Sequence, residues 1–164
     1  MTKIAFTADE PKDLESVISY HFGHCPFFVI VEVNDGNVIK KVESIENPYA
    51  QSHDPGELPA FIHTLGADII VTGGMGPRAQ EFFMQYGIKP IVGAYGKVKD
   101  VLKELLKGEF HYDSAHTSEH GHHGPHKEGE NEEIRRLKLE VQDLRKQIAE
   151  LKSIIMEIKE KMEQ

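Results

Sequence analysis

The sequence lacks the features that mark several large classes of protein. It has one cysteine, Cys25, so no disulfide can form within the chain, and this favours a reducing compartment. No apolar run approaches the roughly 18–20 residues of a membrane-spanning helix, and the N-terminus shows no signal-peptide pattern. The net charge is −8 and there is no basic stripe, which argues against a nucleic-acid partner. We therefore expect a cytoplasmic protein that binds neither membranes nor nucleic acids.

Short β-rich runs alternate with helical patterns over residues 1–110, which is typical of an α/β domain. The turn-forming Asn34-Asp35-Gly36-Asn37 predicts an antiparallel hairpin, and later apolar runs predict strands covered on both faces. The order β-β-β-α-β-α-β-α predicts a mixed five-stranded sheet with helices on its faces. Predicted strands cover residues 3–7, 27–33, 38–45, 69–72 and 88–92, and predicted helices run from about 54 to 66, 77 to 87 and 97 to 108.

A polar, histidine-rich stretch at residues 111–131 separates this domain from the C-terminus, and we expect it to be a disordered linker. Imidazole binds most transition metals, so the stretch is a candidate site for a divalent transition metal. An artificial tag is the other interpretation, although the interspersed Gly, Ser and Glu favour a native tract. The candidate ligands are His111, His116, His120, His122, His123 and His126.

Residues 132–164 carry an unbroken heptad pattern over four heptads. Position a holds Ile134, Val141, Ile148, Ile155 and Met162, and position d holds Leu137, Leu144, Leu151 and Ile158. β-Branched residues at a with mostly Leu at d favour a parallel two-stranded coiled coil, in which Glu133 and Glu140 can face Lys138 and Arg145 of the partner. The pattern predicts a homodimer. An amphipathic helix that packs on its own domain is the alternative.

The loop before the second predicted strand places His21, His24 and Cys25 within five residues. Imidazole and thiolate suit iron, copper and zinc, but a structural zinc site normally takes four protein ligands and this loop offers three at most. An exposed, incompletely ligated site suits a cluster that brings its own sulfides and must later leave. The other interpretation is that these side chains serve packing or hydrogen bonding at the strand entry.

A second candidate site is the glycine-rich turn Gly73-Gly74-Met75-Gly76, between a buried strand and a helix that begins near Pro77. Peptide N–H groups in such a turn can point at an anion, and open α/β sheets bind ligands at the carboxyl ends of their strands. The turn has neither the P-loop ending nor the G-x-G-x-x-G spacing. A tight turn that needs small residues explains it equally well.

No catalytic constellation is visible. Asp9, Glu10, Asp13 and Glu15 form an acidic cluster without a nucleophile or metal-ligand spacing, and we interpret it as a solvated loop. We expect a protein that is not an enzyme.

Several motifs in residues 1–110 together resemble the dinitrogenase iron-molybdenum cofactor biosynthesis family, which includes cofactor carriers and the C-terminal domain of the cofactor-assembly scaffold. They are the opening strand at 3–7, His21-Phe22-Gly23 with Cys25-Pro26-Phe27-Phe28, Gly73-Gly74-Met75-Gly76-Pro77-Arg78-Ala79, and Gly87-Ile88. The resemblance implies a ribonuclease-H-like three-layer fold without nuclease activity. It also implies that the loop containing Gly23 lies near the glycine turn, with His21 as the first candidate for cluster contact and His24 and Cys25 as the next.

The main hypothesis is a non-catalytic, dimeric carrier that holds iron-molybdenum cofactor or a related metal-sulfur cluster between these two loops. Such a carrier implies a cluster donor and an acceptor protein as partners. The alternative is a metal-storage or metallochaperone protein that binds nickel, zinc, copper or iron through residues 111–126. A hydrolase that uses the glycine turn is a third possibility.

Overall fold

A mixed five-stranded sheet forms the centre of the computed structural model, which describes residues 1–52, 54–110 and 131–164. The strands are β1 (Thr2–Ala8), β2 (Phe27–Val33), β3 (Ile39–Glu46), β4 (Ile69–Thr72) and β5 (Lys89–Val92), and the helices are α1 (Glu57–Thr64), α2 (Pro77–Gln85), α3 (Val98–Lys107) and α4 (Glu132–Met162). Their order in the sheet is β3-β2-β1-β4-β5. The predicted α/β class and mixed five-stranded sheet are confirmed; the relation to ribonuclease H stays a prediction.

The β2–β3 hairpin forms around Asn34, as the turn residues predicted. The Asn34 side-chain oxygen accepts hydrogen bonds from the peptide N–H groups of Gly36 and Val38, at 3.0 and 2.9 Å. Asn37 takes a positive φ of 61°, a conformation that asparagine tolerates well. The Asn34 side chain therefore stabilises the turn together with the positive φ of Asn37.

The sheet buries both of its faces, because its central strands alternate between two apolar clusters. On β1, Ile4 and Phe6 point to the face that α3 covers, while Ala5 points to the face that α1 and α2 cover. Phe28 on β2 and Phe83 on α2 are both fully buried on the second face. Each such large side chain contributes roughly 1.5–3 kcal/mol through burial. The domain is thus a three-layer arrangement of helices, sheet and helix.

Two helical details differ from the sequence prediction. Helix α1 begins at Glu57 rather than near residue 54, because Gly56 takes a left-handed φ of 91° that the helix cannot include. The spacing of Ala79, Phe82, Phe83 and Tyr86 predicts a buried Tyr86 on α2, but Tyr86 is 38% exposed and stacks on the ring of His63 at 4.5 Å between centroids. The Tyr86 ring therefore packs on His63 at the surface instead of in the core.

Helix α4 begins at Glu132, where the Asn131 side chain accepts a hydrogen bond from Glu133 N at 3.1 Å and so acts as its N-cap. It contacts α3, with ion pairs between Lys103 and Glu160 and between Glu104 and Lys152. The predicted histidine ligands between residues 111 and 130 lie outside the described residues. Among the helices that are described, none is both long and apolar enough to cross a membrane.

Candidate functional site

The candidate site lies at the carboxyl edge of the sheet, between β1 and β4. These strands are parallel neighbours, but after β1 the chain turns to β2 on one side of it, and it returns to β4 on the other side. Such a reversal of strand order leaves a crevice outside the strand ends, which is where open α/β sheets bind ligands. Three connections meet there: residues 9–26 after β1, residues 73–76 after β4 and residues 93–97 after β5.

Two threonine hydroxyls near the strand ends form hydrogen bonds that join residues 9–26 to residues 73–76. Thr7 Oγ1 on β1 lies 3.1 Å from Ser19 O and 3.0 Å from Thr72 Oγ1 on β4. The Thr72 hydroxyl also lies 3.3 Å from Gly74 O. Both threonines are fully buried. Sequence reasoning did not select them, because a threonine that ends a strand is common and carries no local sign of such a partner.

The backbones of the two predicted loops lie side by side. Gly73 N donates to Ser19 O at 3.0 Å, and Phe22 N donates to Gly74 O at 3.1 Å. A Cβ atom added to Gly73 would lie 2.8 Å from Tyr20 Cα, and one added to Gly74 would lie 2.7 Å from Tyr20 O. Both distances are too short for a side chain. The first two glycines of the turn therefore allow close approach of the loop that carries His21.

His21 is exposed at this edge, and its ring meets that of Tyr20 edge-on at 4.9 Å between centroids. Partial burial lowers the pKa of His21, and the positive charges of His24, Arg145 and Lys138 lower it further, against an opposing contribution from Asp9. A lowered pKa favours the neutral imidazole at neutral pH. That is the form in which histidine binds metals.

His24 is also exposed, and its Nδ1 lies 3.1 Å from Ala50 O. An imidazole that donates through Nδ1 to a carbonyl carries its lone pair on Nε2, and hydrogen bonds of this kind orient many metal-binding histidines. The intervening Gly23 is half-buried. Both predicted histidine ligands thus lie at the surface of one short loop.

Cys25 faces the opposite way, into the core below the loop. It is 0% exposed, its thiol donates to Phe22 O at 3.3 Å, and Asn47 Nδ2 approaches its sulfur at 3.8 Å. Burial raises the pKa of the thiol to about 12, although the contact with Asn47 works in the opposite direction. The thiolate needed for metal binding is therefore strongly disfavoured in this conformation.

The peptide N–H groups of Gly74, Met75 and Gly76 donate to no acceptor within the part of the chain that the structure describes. Gly76 is exposed and precedes α2, whose first residue, Pro77, has no N–H group. The Met75 side chain, by contrast, is buried in the core. The turn can offer backbone donors and the positive end of a helix dipole to an anion, but not the Met75 thioether.

Helix α4 reaches this edge as well, so it packs on its own domain, which was the alternative interpretation of the heptad segment. The Arg145 guanidinium donates to Ile18 O and lies 3.2 Å from an Asp9 carboxylate oxygen. Burial raises the pKa of Asp9, and Arg145 partly offsets that rise. Farther along α4, Lys152 donates to Tyr95 O at 2.8 Å. The acidic cluster is thus only partly a solvated loop, since Asp9 binds a cation from the far end of the chain.

No group of three or more His, Cys, Asp or Glu side chains among the described residues is arranged to hold a metal ion. His21 and His24 are both exposed at this edge, beside backbone donors from the glycine turn and cations from α4.

These features define a three-layer α/β domain with an exposed histidine loop at its topological switch point. Residues 2–108 match the family described as dinitrogenase iron-molybdenum cofactor, and the chain belongs to that family. Helix α4 lies outside the matched residues.

The chain is also similar to individual proteins. MJ0580, an uncharacterised protein of Methanocaldococcus jannaschii, is 32% identical over 111 residues, which cover 66% of this chain and 89% of the relative. The crystal structure of PH0822 is 36% identical with a TM-score of 0.62, covering 70% of this chain and 97% of that one. The apo form of the orange protein from Desulfovibrio gigas is 25% identical with a TM-score of 0.58, covering 70% and 94%.

Proposed function

We propose that this protein is a non-catalytic carrier that holds a preassembled, anionic metal-sulfur cluster during cofactor assembly. The cluster binds at the carboxyl edge of the sheet, where His21 is exposed. The cargo is iron-molybdenum cofactor or a related cluster. Membership of the iron-molybdenum cofactor family supports the class of cargo. The placement of His21 supports the site.

The observation that carries the proposal is an exposed imidazole on a loop that the fold holds firmly. Ser19, two residues before His21, accepts hydrogen bonds through its carbonyl, and Phe22, the residue after it, donates one to Gly74. A ligand on a fixed loop loses little conformational entropy when it binds. Because the ring is at the surface, the cluster can enter and leave without opening the core.

The surroundings of His21 suit a cargo with net negative charge. Arg145 and Lys138 are close enough to affect the pKa of His21, and the backbone donors of the glycine turn lie on the neighbouring loop. Oriented amides and fixed cations stabilise sulfide-rich clusters in the way that they stabilise other anions. In this proposal His21 is the protein ligand, His24 is the second candidate, and Gly74–Gly76 supply hydrogen bonds.

Of the three predicted ligands in the loop, Cys25 is the least suited to bind a cluster. In the conformation described, its sulfur lies in the core and its thiol is strongly protonated. We propose that Cys25 supports the loop from below, through its hydrogen bond to Phe22 O, and that cluster ligation does not require it.

A carrier with an exposed site requires a donor that delivers the cluster and an acceptor that removes it. We propose that both approach the carboxyl edge of the sheet, because His21 and His24 are exposed at that edge. We also propose that the carrier is a homodimer joined through α4.

The test uses full-length protein prepared without oxygen and without a metal-affinity column. The apo protein is mixed with isolated iron-molybdenum cofactor and desalted, and retained iron and molybdenum are measured with the absorption spectrum. We expect retention by the wild type and a loss on the order of tenfold or more in His21→Ala, since loss of a residue that only hydrogen-bonds to a metal ligand already weakens metal sites about 10–100-fold. Equal retention by His21→Ala would remove His21 from the site.

His63→Ala is the matched control. His63 is also exposed, but it stacks on Tyr86 at the end of α1, and we expect its loss to leave retention unchanged. A Cys25→Ala variant separates ligation from support. In our proposal it retains the cluster when its fold is intact.

Deletion of residues 111–126 tests the rival function, metal storage or delivery through the histidine-rich stretch. Iron and molybdenum retained by the deletion variant would support the carrier. Nickel, zinc or copper bound by the full-length protein alone would instead support storage. A screen of phosphate esters tests for hydrolase activity, and turnover that His21→Ala abolishes would contradict the non-catalytic assignment.

A further inference from the structure

Helix α4 packs on its own domain through a stripe that contains none of the a and d positions of the heptad. The stripe contacts α3 and the loops at the carboxyl edge. Its buried and half-buried residues are Arg145, Ala149, Lys152, Ser153, Met156 and Glu160. Ion pairs hold it in place, among them Lys152 with Glu104 at 3.0 Å and Glu150 with Lys97 at 3.1 Å. Apart from Met156 its members are small or polar, so this docking leaves the apolar side chains at the a and d positions exposed.

The a and d positions point away from the domain, and all nine of their side chains are between 45% and 80% exposed. They are Ile134, Leu137, Val141, Leu144, Ile148, Leu151, Ile155, Ile158 and Met162. A continuous apolar stripe of this length on the surface of a folded chain marks an interaction site. Its heptad spacing fits a second helix with the same repeat.

We infer that a second copy of the chain covers the a and d positions of α4, the seam, in a parallel coiled coil. Dimer formation thereby stabilises residues 16–22, the loop that carries His21, through Arg145. The inference deepens the proposed function and rests on it only for the identity of the loop. The a and d face of α4 contacts the second copy, and the docked stripe of α4 packs on the α/β domain of its own chain.

Charge complementarity selects the second copy and its direction. Every e position from 138 to 159 is a cation, namely Lys138, Arg145, Lys152 and Lys159, whereas the first two g positions are Glu133 and Glu140. A parallel pair places each e residue beside a g residue of its partner, so Glu133 meets Lys138 and Glu140 meets Arg145. An antiparallel pair would place the cationic e rows against each other.

Arg145 connects the two faces, because it belongs to the docked stripe and its heptad position, e, also borders the seam. Its guanidinium has five N–H donors in a fixed fork, enough to bind more than one acceptor at once. Within the chain it already contacts Asp9 and Ile18 O. The partner's Glu140 would add a third acceptor and hold the guanidinium where it supports residues 16–22.

The first experiment measures mass. Sedimentation equilibrium on full-length apo protein should give twice the chain mass for the wild type. The double variant Leu144→Gln/Leu151→Gln should give the mass of one chain. Leu139→Gln is the control, since Leu139 is 67% exposed on the same helix but lies at position f, off the seam. A monomeric wild type, or a seam variant that stays dimeric, would overturn the inference.

The direction of the helices is tested by a single cysteine in the seam. In a parallel pair, Leu144→Cys places two thiols opposite each other at position d, so mild oxidation should give a cross-linked dimer. Cys25 is buried and does not compete. A dimer that forms no cross-link would contradict the parallel arrangement.

The effect of dimer formation on the His21 loop is measured by hydrogen exchange of residues 16–22 in apo protein, which needs no cargo. Glu140→Lys should speed exchange there at least about threefold, as should the seam variant, because Arg145 loses its outer acceptor. Glu157→Lys, the same charge change at exposed position c, should not. Equal exchange in Glu140→Lys and Glu157→Lys would disprove the coupling. Failure of cluster retention with these exchange results intact would instead count against the proposed function alone.

Discussion

The Arg145 guanidinium on the C-terminal helix lies 3.2 Å from the carboxylate of Asp9, the residue that follows β1. The pair joins the two ends of the chain at the edge where His21 is exposed. Both side chains are largely buried, so solvent screens the interaction less than it would at an open surface. Helix α4 is therefore part of the surroundings of the candidate site, and its contribution there can be tested.

Replacement of Arg145 by Gln should raise the pKa of Asp9 further above its ordinary value. Burial already raises it, and the positive charge of Arg145 is the main opposing influence. Carbon-13 NMR titration of the Asp9 carboxyl in full-length protein measures the change. Glu160→Gln is the control, because it removes an ion pair with Lys103 at the distal end of α4. An unchanged Asp9 pKa in Arg145→Gln would mean that the ion pair does not persist in solution.

Alanine at Gly73 or Gly74 should destabilise the domain, whereas alanine at Gly76 should not. The added Cβ would lie 2.8 or 2.7 Å from the Tyr20 backbone at the first two positions, and nothing lies within 4 Å of it at Gly76. Backbone cannot rotate away as a side chain does, so we expect a loss of about 1–3 kcal/mol at Gly73 and Gly74. Urea denaturation measures it, and equal stability of all three variants would contradict the close approach.

The α/β domain was predictable because its signals are local. Asn34 marked the hairpin, and the short apolar runs at β2 and β4 predicted the observed bounds of both strands. The sequence left Cys25 open between ligation and packing, because the pattern of a loop that enters a strand does not say which side chains point to the core; the structure buries it. The Asp9–Arg145 contact was equally hidden, since the two residues lie far apart in the chain and the sequence assigned Arg145 to the heptad repeat and Asp9 to a solvated acidic loop. The heptad pattern predicted the helix but not the second face by which it docks.

Cys25 should resist alkylation in the native protein. Its thiol is 0% exposed and its pKa is raised to about 12, so iodoacetamide at pH 8 should modify it only after denaturation. Mass spectrometry before and after addition of urea checks this. Rapid modification of the folded protein would mean that the loop opens and that the thiol is available as a ligand.

The same raised pKa predicts a loss of stability at alkaline pH. Above the ordinary thiol value of 9.0, the unfolded chain releases the Cys25 proton while the folded chain keeps it, so the free energy of unfolding falls as pH rises. A single group contributes at most about 1.4 kcal/mol per pH unit. Urea denaturation between pH 9 and about 10 should therefore show a shallower decline in Cys25→Ala than in the wild type. Parallel declines would mean that Cys25 titrates normally in the folded state.

Thr7 and Thr72 should be energetically coupled. Their hydroxyls lie 3.0 Å apart and fully buried, so Thr7→Val or Thr72→Val alone leaves one hydroxyl without that partner. We expect each single variant to lose about 1–3 kcal/mol of unfolding free energy. The double variant replaces both groups by apolar ones of the same shape and should lose clearly less than the sum of the two.

Urea denaturation of the three variants completes the cycle, with Thr64→Val as the control. Thr64 is exposed at the end of α1, so its replacement should change stability by no more than about 0.5 kcal/mol. Additive losses would show that the hydroxyls act separately. Coupled losses, with faster hydrogen exchange of residues 19–22 in either single variant, would establish that this buried pair holds the His21 loop against the glycine turn.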